Sequence, residues 1–319
     1  MVTNIAKAIL SVLLAAVVSG CALGISEIPV AELEKRYASN PPLYIDVDGL
    51  QVHYREEGKD NDHTLVMLHG ILASLHNWEV WSRELAGRYR VISLDLPGHG
   101  LTGPANFEYN TENYIQFINS FASRLGLEKF TLVGNSLGGY FAWNYAIRYP
   151  QQVEKLVLID TAGFPLKKIP FPVRAFTAPL LGEISMHFTP RIASSILLRE
   201  VYAEPSRISE AMTERYYELQ LRPGNRRASQ TLFKRNLEIL RQEPSGLEQL
   251  TMPTLLMWGE QDHWIPADPH LKRWQQALPH AKVVIYPDAG HMPMEEIPVR
   301  SARNLHQFLS GAEITDTSE

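Results

Sequence analysis

The chain has a single cysteine, Cys21, in 319 residues, which excludes an intrachain disulfide. It has no Lys/Arg-rich block. Its formal net charge is -5 and its pI about 6.1, so nucleic acid is not an expected partner. It has no internal repeat and no low-complexity tract. The apolar run at residues 8–18, broken only by Ser11, is too short to span a bilayer comfortably, since that takes roughly 20 apolar residues. What remains is ordinary: 45% hydrophobic and 20% charged residues, the composition of a globular protein. The length is ample for a large core and allows one large α/β domain or two small ones.

The first twenty residues have the order of an export signal. Lys7 supplies one positive charge, the apolar run follows, and Ser19 and Gly20 are small. Val18-Ser19-Gly20-Cys21 resembles a bacterial lipobox, which implies cleavage and lipidation of Cys21. A plain secretory signal with an incidental cysteine is the alternative. Ala22 comes next, and in bacteria with this pattern a non-Asp residue there implies sorting to the outer membrane. The expectation is a protein of the bacterial cell envelope, held to the membrane by a lipid anchor at Cys21. Residues 1–20 would be the signal and 21–42 a tether with a short amphipathic segment.

From residue 43 the pattern is that of a sheet. Residues 43–47 and 51–55 are strand-like and joined by Asp48-Gly49, a good hairpin signal. Strands and helices then alternate. Strands are expected at 64–68, 91–94, 130–133 and 153–159, with helices at 78–85, 137–149 and from a cap at Thr111 to about 125. Short apolar runs between helices predict a mostly parallel sheet covered on both faces. The rhythm breaks at Gly163, and no convincing strand occurs before about residue 250. It resumes with strands at 254–258 and 282–286 and helices near 271–278 and 299–309. The reading is an α/β core at 43–162 and 251–310, a helical insertion at 163–250 and a polar tail at 311–319. The insertion holds 13 Lys/Arg against 9 Asp/Glu, so it is net cationic in an anionic chain. Its stretch 166–176 mixes Lys167, Lys168 and Arg174 with apolar and aromatic groups. That suits either a lid touching lipid or a segment packed on the core with solvated lysines.

The strongest chemical signal is Gly134-Asn135-Ser136-Leu137-Gly138-Gly139. It follows an apolar strand and opens a helix, the context in which Gly-x-Ser-x-Gly forms a tight turn presenting a nucleophile. A serine hydroxyl needs a base. Among eleven histidines, His291 stands in a loop after the last strand, in Asp288-Ala289-Gly290-His291. Asp262, directly after the strand at 254–258, is the acid expected to orient it, with Asp160 in reserve and Glu260 behind that. Two N–H groups should hold an oxyanion: that of Leu137, and that of Ile71 in the loop His69-Gly70-Ile71-Leu72. His69 reads as a residue that hydrogen-bonds this loop, and Asp95-Leu96-Pro97-Gly98-His99-Gly100 as scaffold.

Together these segments resemble the α/β-hydrolase superfamily, over about residues 43–309. Within it the chain looks like small bacterial esterases and lipases with a helical cap after the sixth strand. The resemblance implies hydrolysis of a small-molecule carboxylic ester, with no cofactor and no metal. Haloalkane dehalogenases and epoxide hydrolases carry aspartate where Ser136 stands. Carbon–carbon bond hydrolases of aromatic degradation use serine, often within Asn-Ser as here, but usually place tryptophan where Met292 follows His291. They remain an alternative, as does a non-catalytic binding module on the same scaffold.

Overall fold

The computed structural model describes residues 24–315. Cys21, the export-signal reading of residues 1–20, and residues 316–319 of the tail lie outside them. Among the described residues no helix is long and apolar enough to cross a membrane.

The aliphatic runs form one eight-stranded sheet, ordered β1-β2-β4-β3-β5-β6-β7-β8. The strands are β1 (Leu43–Val47), β2 (Leu50–Glu57), β3 (Thr64–Leu68), β4 (Arg90–Leu94), β5 (Phe130–Asn135), β6 (Val153–Ile159), β7 (Thr254–Gly259) and β8 (Lys282–Tyr286). β1 and β2 pair antiparallel, β2 runs antiparallel to β4, and all other pairs are parallel. The hairpin turn has φ of 53° at Asp48 and 86° at Gly49. Positive φ at both positions matches the twist of the flanking strands. β3, β5 and β7 are buried along their whole length. A strand dry on both faces must be apolar throughout, which is why these read as continuous runs.

The helices are α1 (Val30–Tyr37), α2 (Glu79–Leu85), α3 (Thr111–Arg124), α4 (Leu137–Arg148), then α5 (Phe171–Thr177), α6 (Pro179–His187), α7 (Arg191–Val201), α8 (Glu210–Gln220) and α9 (Asn225–Ile239) between β6 and β7. α10 (Ala267–Ala277), α11 (Pro293–Glu296) and α12 (Pro298–Ser310) complete the chain. The cap of α3 is Asn110, one residue before the expected Thr111. Asn110 has extended backbone, and its side chain accepts the Asn113 N–H at 2.9 Å, the geometry of an N-cap.

The five helices α5–α9 form a cap tied to the core by a buried carboxylate. Glu295 accepts from Arg215 Nη2 at 2.8 Å, Tyr202 at 3.0 Å and Tyr216 at 2.9 Å, all three on the cap side. Residues 24–42, expected to be a tether, are strapped along this cap. The Ile28 N–H donates to Leu221 O at 2.8 Å, and Ile28 and Leu33 pack with Leu219 and Leu221. Arg36 and Tyr37 both bond Glu218. The apolar face of α1 finds a partner only in three dimensions, so sequence-local reasoning left it free. The described part of the tail also docks: Asn304 Nδ2 donates to Thr315 O at 3.1 Å.

Candidate active site

The parallel strands carry every candidate site residue to one rim. Ser136 follows β5, Asp160 follows β6, Asp262 lies after β7, His291 lies after β8, and the 69–72 loop follows β3. Loops at the carboxyl ends of neighbouring parallel strands converge on one crevice. There Ser136, His291, Gly70, Ile71, Leu197 and Tyr216 line a small, largely apolar cavity.

Ser136 has φ 54° and ψ -117°, a region disfavoured for any residue with a Cβ. Backbone bonds hold it there. Its N–H donates to Ile159 O at 3.0 Å, and its carbonyl accepts from Tyr140 at 3.0 Å and Ala162 at 3.2 Å. Two glycines make the turn possible. A Cβ at Gly134 would lie 2.5 Å from Gly138 O, so the turn needs its small residues. A Cβ at Gly138 would lie 2.3 Å from Leu68 O, at the end of β3, which is a demand of strand packing as well as of the turn. Of the four non-glycine residues with positive φ among the described residues, Leu72, Ser136 and Asp160 surround the site and Asp48 sits in the hairpin. Backbone strain concentrated in this way is characteristic of functional sites.

His291 Nδ1 lies 2.7 Å from Asp262 Oδ2, and both groups are buried. Asp262 Oδ1 accepts the N–H groups of Trp264 at 2.7 Å and Ile265 at 3.0 Å. A carboxylate can only accept, so His291 Nδ1 carries the proton and the neutral ring keeps a lone pair on Nε2. Nε2 is buried and makes no hydrogen bond within the protein. It shares the cavity with Ser136 without being bonded to it. Bonds of this kind are commonly long in a free enzyme and tighten around substrate.

Asp160, the reserve acid, is brought to the same place. Ligand atoms of Asp160, Asp262 and His291 lie within 4.8 Å of one another. Asp160 Oδ1 accepts the Gly259 N–H at 2.9 Å, and no hydrogen bond joins it to the imidazole. Complete burial, and then the adjacent Asp262 charge, push its carboxyl well above the usual range, which favours its neutral form. Asp262 is therefore the carboxylate partner of His291. Glu260 is exposed.

The 69–72 loop comes close to Ser136. A Cβ at Gly70 would lie 3.1 Å from Ser136 Cβ. Ala73 N–H closes the turn onto Gly70 O at 3.3 Å, and Leu72 sits at φ 61°. His69 holds the loop: its Nε2 accepts the Leu96 N–H at 3.0 Å and its Nδ1 donates to Gly70 O at 2.7 Å. Leu137, the other expected donor, is the first residue of α4, where a helix N–H has no intrahelical partner. Burial, with the neighbouring His69 behind it, lowers His99 to about 3, so its ring stays neutral in the scaffold.

The segment from Asp95 to Gly100 is scaffold, as its sequence suggested, but the partners of Asp95 and the supporting roles of Asn135 and Glu296 were not legible there. Asp95 accepts the N–H groups of Leu75 and Leu101, each at 2.8 Å, and bonds His53 at 2.7 Å. Burial raises its carboxyl, and the hydrogen bond and charge of His53, with His69 and His76, outweigh that and hold it below the usual range. Asn135 Nδ2 donates to Ile159 O at 3.2 Å and His291 O at 3.1 Å, joining the Ser136 turn to the His291 loop. Glu296 accepts the N–H groups of Gly290 and Ala203, each at 2.7 Å, and the His291 N–H donates to Val201 O at 2.7 Å. The histidine loop is thus pinned from both the core and the cap. The only sequence signal for these roles was polarity beside the motifs.

The sheet order, the turn at Ser136 and the Asp262–His291 pair define a hydrolase architecture. The profile of the alpha/beta hydrolase fold family matches residues 63–298, and the chain belongs to this family. Its sequence is similar to the uncharacterized hydrolase YugF of Bacillus subtilis (strain 168), 26% identical over 85% of this chain and 99% of that one. It is also similar to the 2-hydroxymuconate semialdehyde hydrolase of Pseudomonas sp. (strain CF600), 28% identical over 78% and 87% of the two chains. Among solved structures it is similar to a membrane phospholipase A described as a bacterial virulence factor, with 29% identity, a TM-score of 0.73, and 98% and 99% of the two chains covered.

Proposed function

We propose that this hydrolase cleaves carboxylic esters through an acyl-enzyme on Ser136. The observation that carries the reading is the buried Asp262–His291 pair, its Nε2 lone pair opening on the cavity that Ser136 lines. As ester enters, His291 Nε2 takes the Ser136 proton while Oγ attacks the carbonyl carbon. The oxyanion is held by the N–H groups of Leu137 and Ile71, each such donor being worth roughly 3 kcal/mol of barrier. His291 then gives its proton to the departing alkoxide, and water repeats the sequence on the acyl group. Asp262 stays ionised and stabilises the imidazolium. The apolar cavity, the similarity to a phospholipase over nearly the whole of both chains, and Met292 after His291 favour an ester over a carbon–carbon bond.

A second reading has an observation of its own. The chain is similar to a hydrolase named for a ring-fission product, 2-hydroxymuconate semialdehyde. Assays of p-nitrophenyl esters of graded acyl length against a ring-fission dienoate separate the two. The ester reading expects kcat/KM for the best ester to exceed that for the dienoate by at least about 100-fold, a margin that shape and polar matching can supply. A dienoate cleaved as well as the best ester overturns it.

The envelope location follows the lipobox-like sequence at Cys21. Cells fed labelled palmitate should label the wild type and not Cys21→Ser. Equal labelling of the two would remove the anchor from this reading.

A further inference from the structure

Most of the large apolar side chains that the described residues leave exposed are gathered on one part of the cap. Ten such side chains are exposed, seven of them between residues 171 and 196, and an eighth is Ile25. They follow helical spacing. Leu180, Leu181, Ile184 and Phe188 lie on one side of the α6 turn sequence, and Ile192 and Ile196 on one side of α7. Leu180 is 73% exposed and Ile192 62%. The opposite side of α7 is internal: Ser194, Leu198 and Val201 are buried, and Leu197 lines the active-site cavity. The helix that walls the site on its inside therefore carries a bare apolar stripe on its outside. Solvated cap helices ordinarily put polar residues there.

Two further observations say what covers it. The first is charge: between residues 166 and 200 five Lys/Arg stand against two Asp/Glu, in a chain whose net charge is -5. Lys167, Lys168, Arg174 and Arg199 are exposed. The second is the course of the N-terminal strap. Gly24 is docked on the three-residue link between α6 and α7, its carbonyl accepting the Thr189 N–H at 3.0 Å and Arg226 Nη1 at 2.7 Å. A Cβ on Gly24 would lie 1.8 Å from Thr189 O, and its φ is 69°, so the contact requires glycine. Cys21 is three residues earlier, within about 11 Å of chain.

We infer that the outer face of α6 and α7 is a membrane-docking surface that rests on an anionic lipid bilayer. Exposed aliphatic and aromatic side chains enter the acyl boundary, and the surrounding lysines and arginines meet the lipid phosphates. This is how amphipathic surface helices bind. A lipid at Cys21 would tether the chain beside this face, and that clause rests on the Cys21 reading. The docking surface itself does not, and it is independent of the ester reading.

The test uses the full chain carrying Ser136→Ala, so that no lipid is hydrolysed. It is mixed with vesicles of phosphatidylethanolamine and phosphatidylglycerol doped with a phospholipid bearing a diazirine on its acyl chain. After irradiation, the labelled peptides are mapped by mass spectrometry. The expected result is labelling of peptides covering residues 171–196. Adding Leu180→Glu and Ile192→Glu should lower that labelling by at least about tenfold, whatever happens at residues 1–23. The same two substitutions with Ser136 intact should leave turnover of a short, soluble ester unchanged, which shows that the cap has folded. The inference is overturned if the cap peptides stay unlabelled while only the N-terminal segment reacts. It is also overturned if sedimentation shows that the face pairs two copies of the chain, with the Glu substitutions abolishing the dimer and no lipid label appearing on it.

Discussion

Ser136→Gly should be inactive and more stable than Ser136→Ala. Both variants remove the nucleophile, and the expected loss in kcat is on the order of 10⁶-fold. A fluorophosphonate probe should label the wild type and neither variant; a wild type that fails to label would instead support a non-catalytic scaffold. Stability separates the two substitutions. At φ 54° and ψ -117° any Cβ is strained, and strain of this kind costs about 1–3 kcal/mol. Alanine keeps the Cβ and glycine does not. Glycine gives back part of the gain through the greater entropy of its unfolded chain, about 0.5–1 kcal/mol. The net difference of about 1 kcal/mol corresponds to roughly 2 °C in Tm for a chain of this size. Equal melting temperatures for the two variants would mean that the turn is not strained and that the geometry at Ser136 needs another explanation.

The second large effect concerns the two buried aspartates. Asp262→Asn should fold and lose about 10⁴-fold in kcat. Its Oδ1 can still accept from Trp264 and Ile265. Its new amide N–H, however, would face His291 Nδ1, and the imidazole would have to turn that nitrogen into the acceptor. The proton then sits on Nε2, where the lone pair is needed. Asp160→Asn should behave oppositely. An amide matches the neutral carboxyl that burial favours at this position, so activity should stay within about a factor of ten of wild type, ~1.4 kcal/mol. A loss as large as that of Asp262→Asn would make Asp160 an ionised member of the machinery. Stability carries the sign of the shift. Asp160 has a folded pKa above its unfolded value. Its neutral form is easily accommodated below about pH 4, the unfolded value. Stability is then lost as pH rises from there through the raised folded value, because the native state binds the extra proton. Asp160→Asn removes this dependence, so its advantage over wild type in denaturant titrations should grow as pH rises above about 4. An advantage that shrinks with pH would reverse the assignment.

Several parts of this protein could be read directly from local chemistry. The strands β3, β5, β6 and β7 are short aliphatic runs bounded by turn residues, and a strand covered on both faces admits little else. Asp48-Gly49 specifies its turn because both positions need positive φ. Gly134, Ser136 and Gly138 announce a tight strand-to-helix turn because any larger side chains at the glycines would meet backbone. The order Ser136, Asp262, His291 follows from which strand each residue trails, so a parallel sheet assembles the site from spacing alone.

Other parts depend on neighbours that are remote along the chain. Chain order ranks Asp262 ahead of Asp160, but both are aspartates just past a strand, and only the fold shows what each one bonds. Asp262 accepts the N–H groups of Trp264 and Ile265 and bonds His291, whereas Asp160 sits in a dry setting that raises its carboxyl. Asp95, Asn135 and Glu296 spend their polar atoms on backbone groups 4 to 156 residues away. Their sequence surroundings show a polar residue and no partner. The spacing of apolar residues in α6 and α7 shows that each helix has a greasy side, but periodicity is blind to direction. Only the packing of Ser194, Leu197 and Leu198 toward the interior reveals that Ile192 and Ile196 point to the outside. Short-range sterics and hydropathy are written residue by residue. Charge state and facing depend on what the rest of the fold brings within a few ångströms.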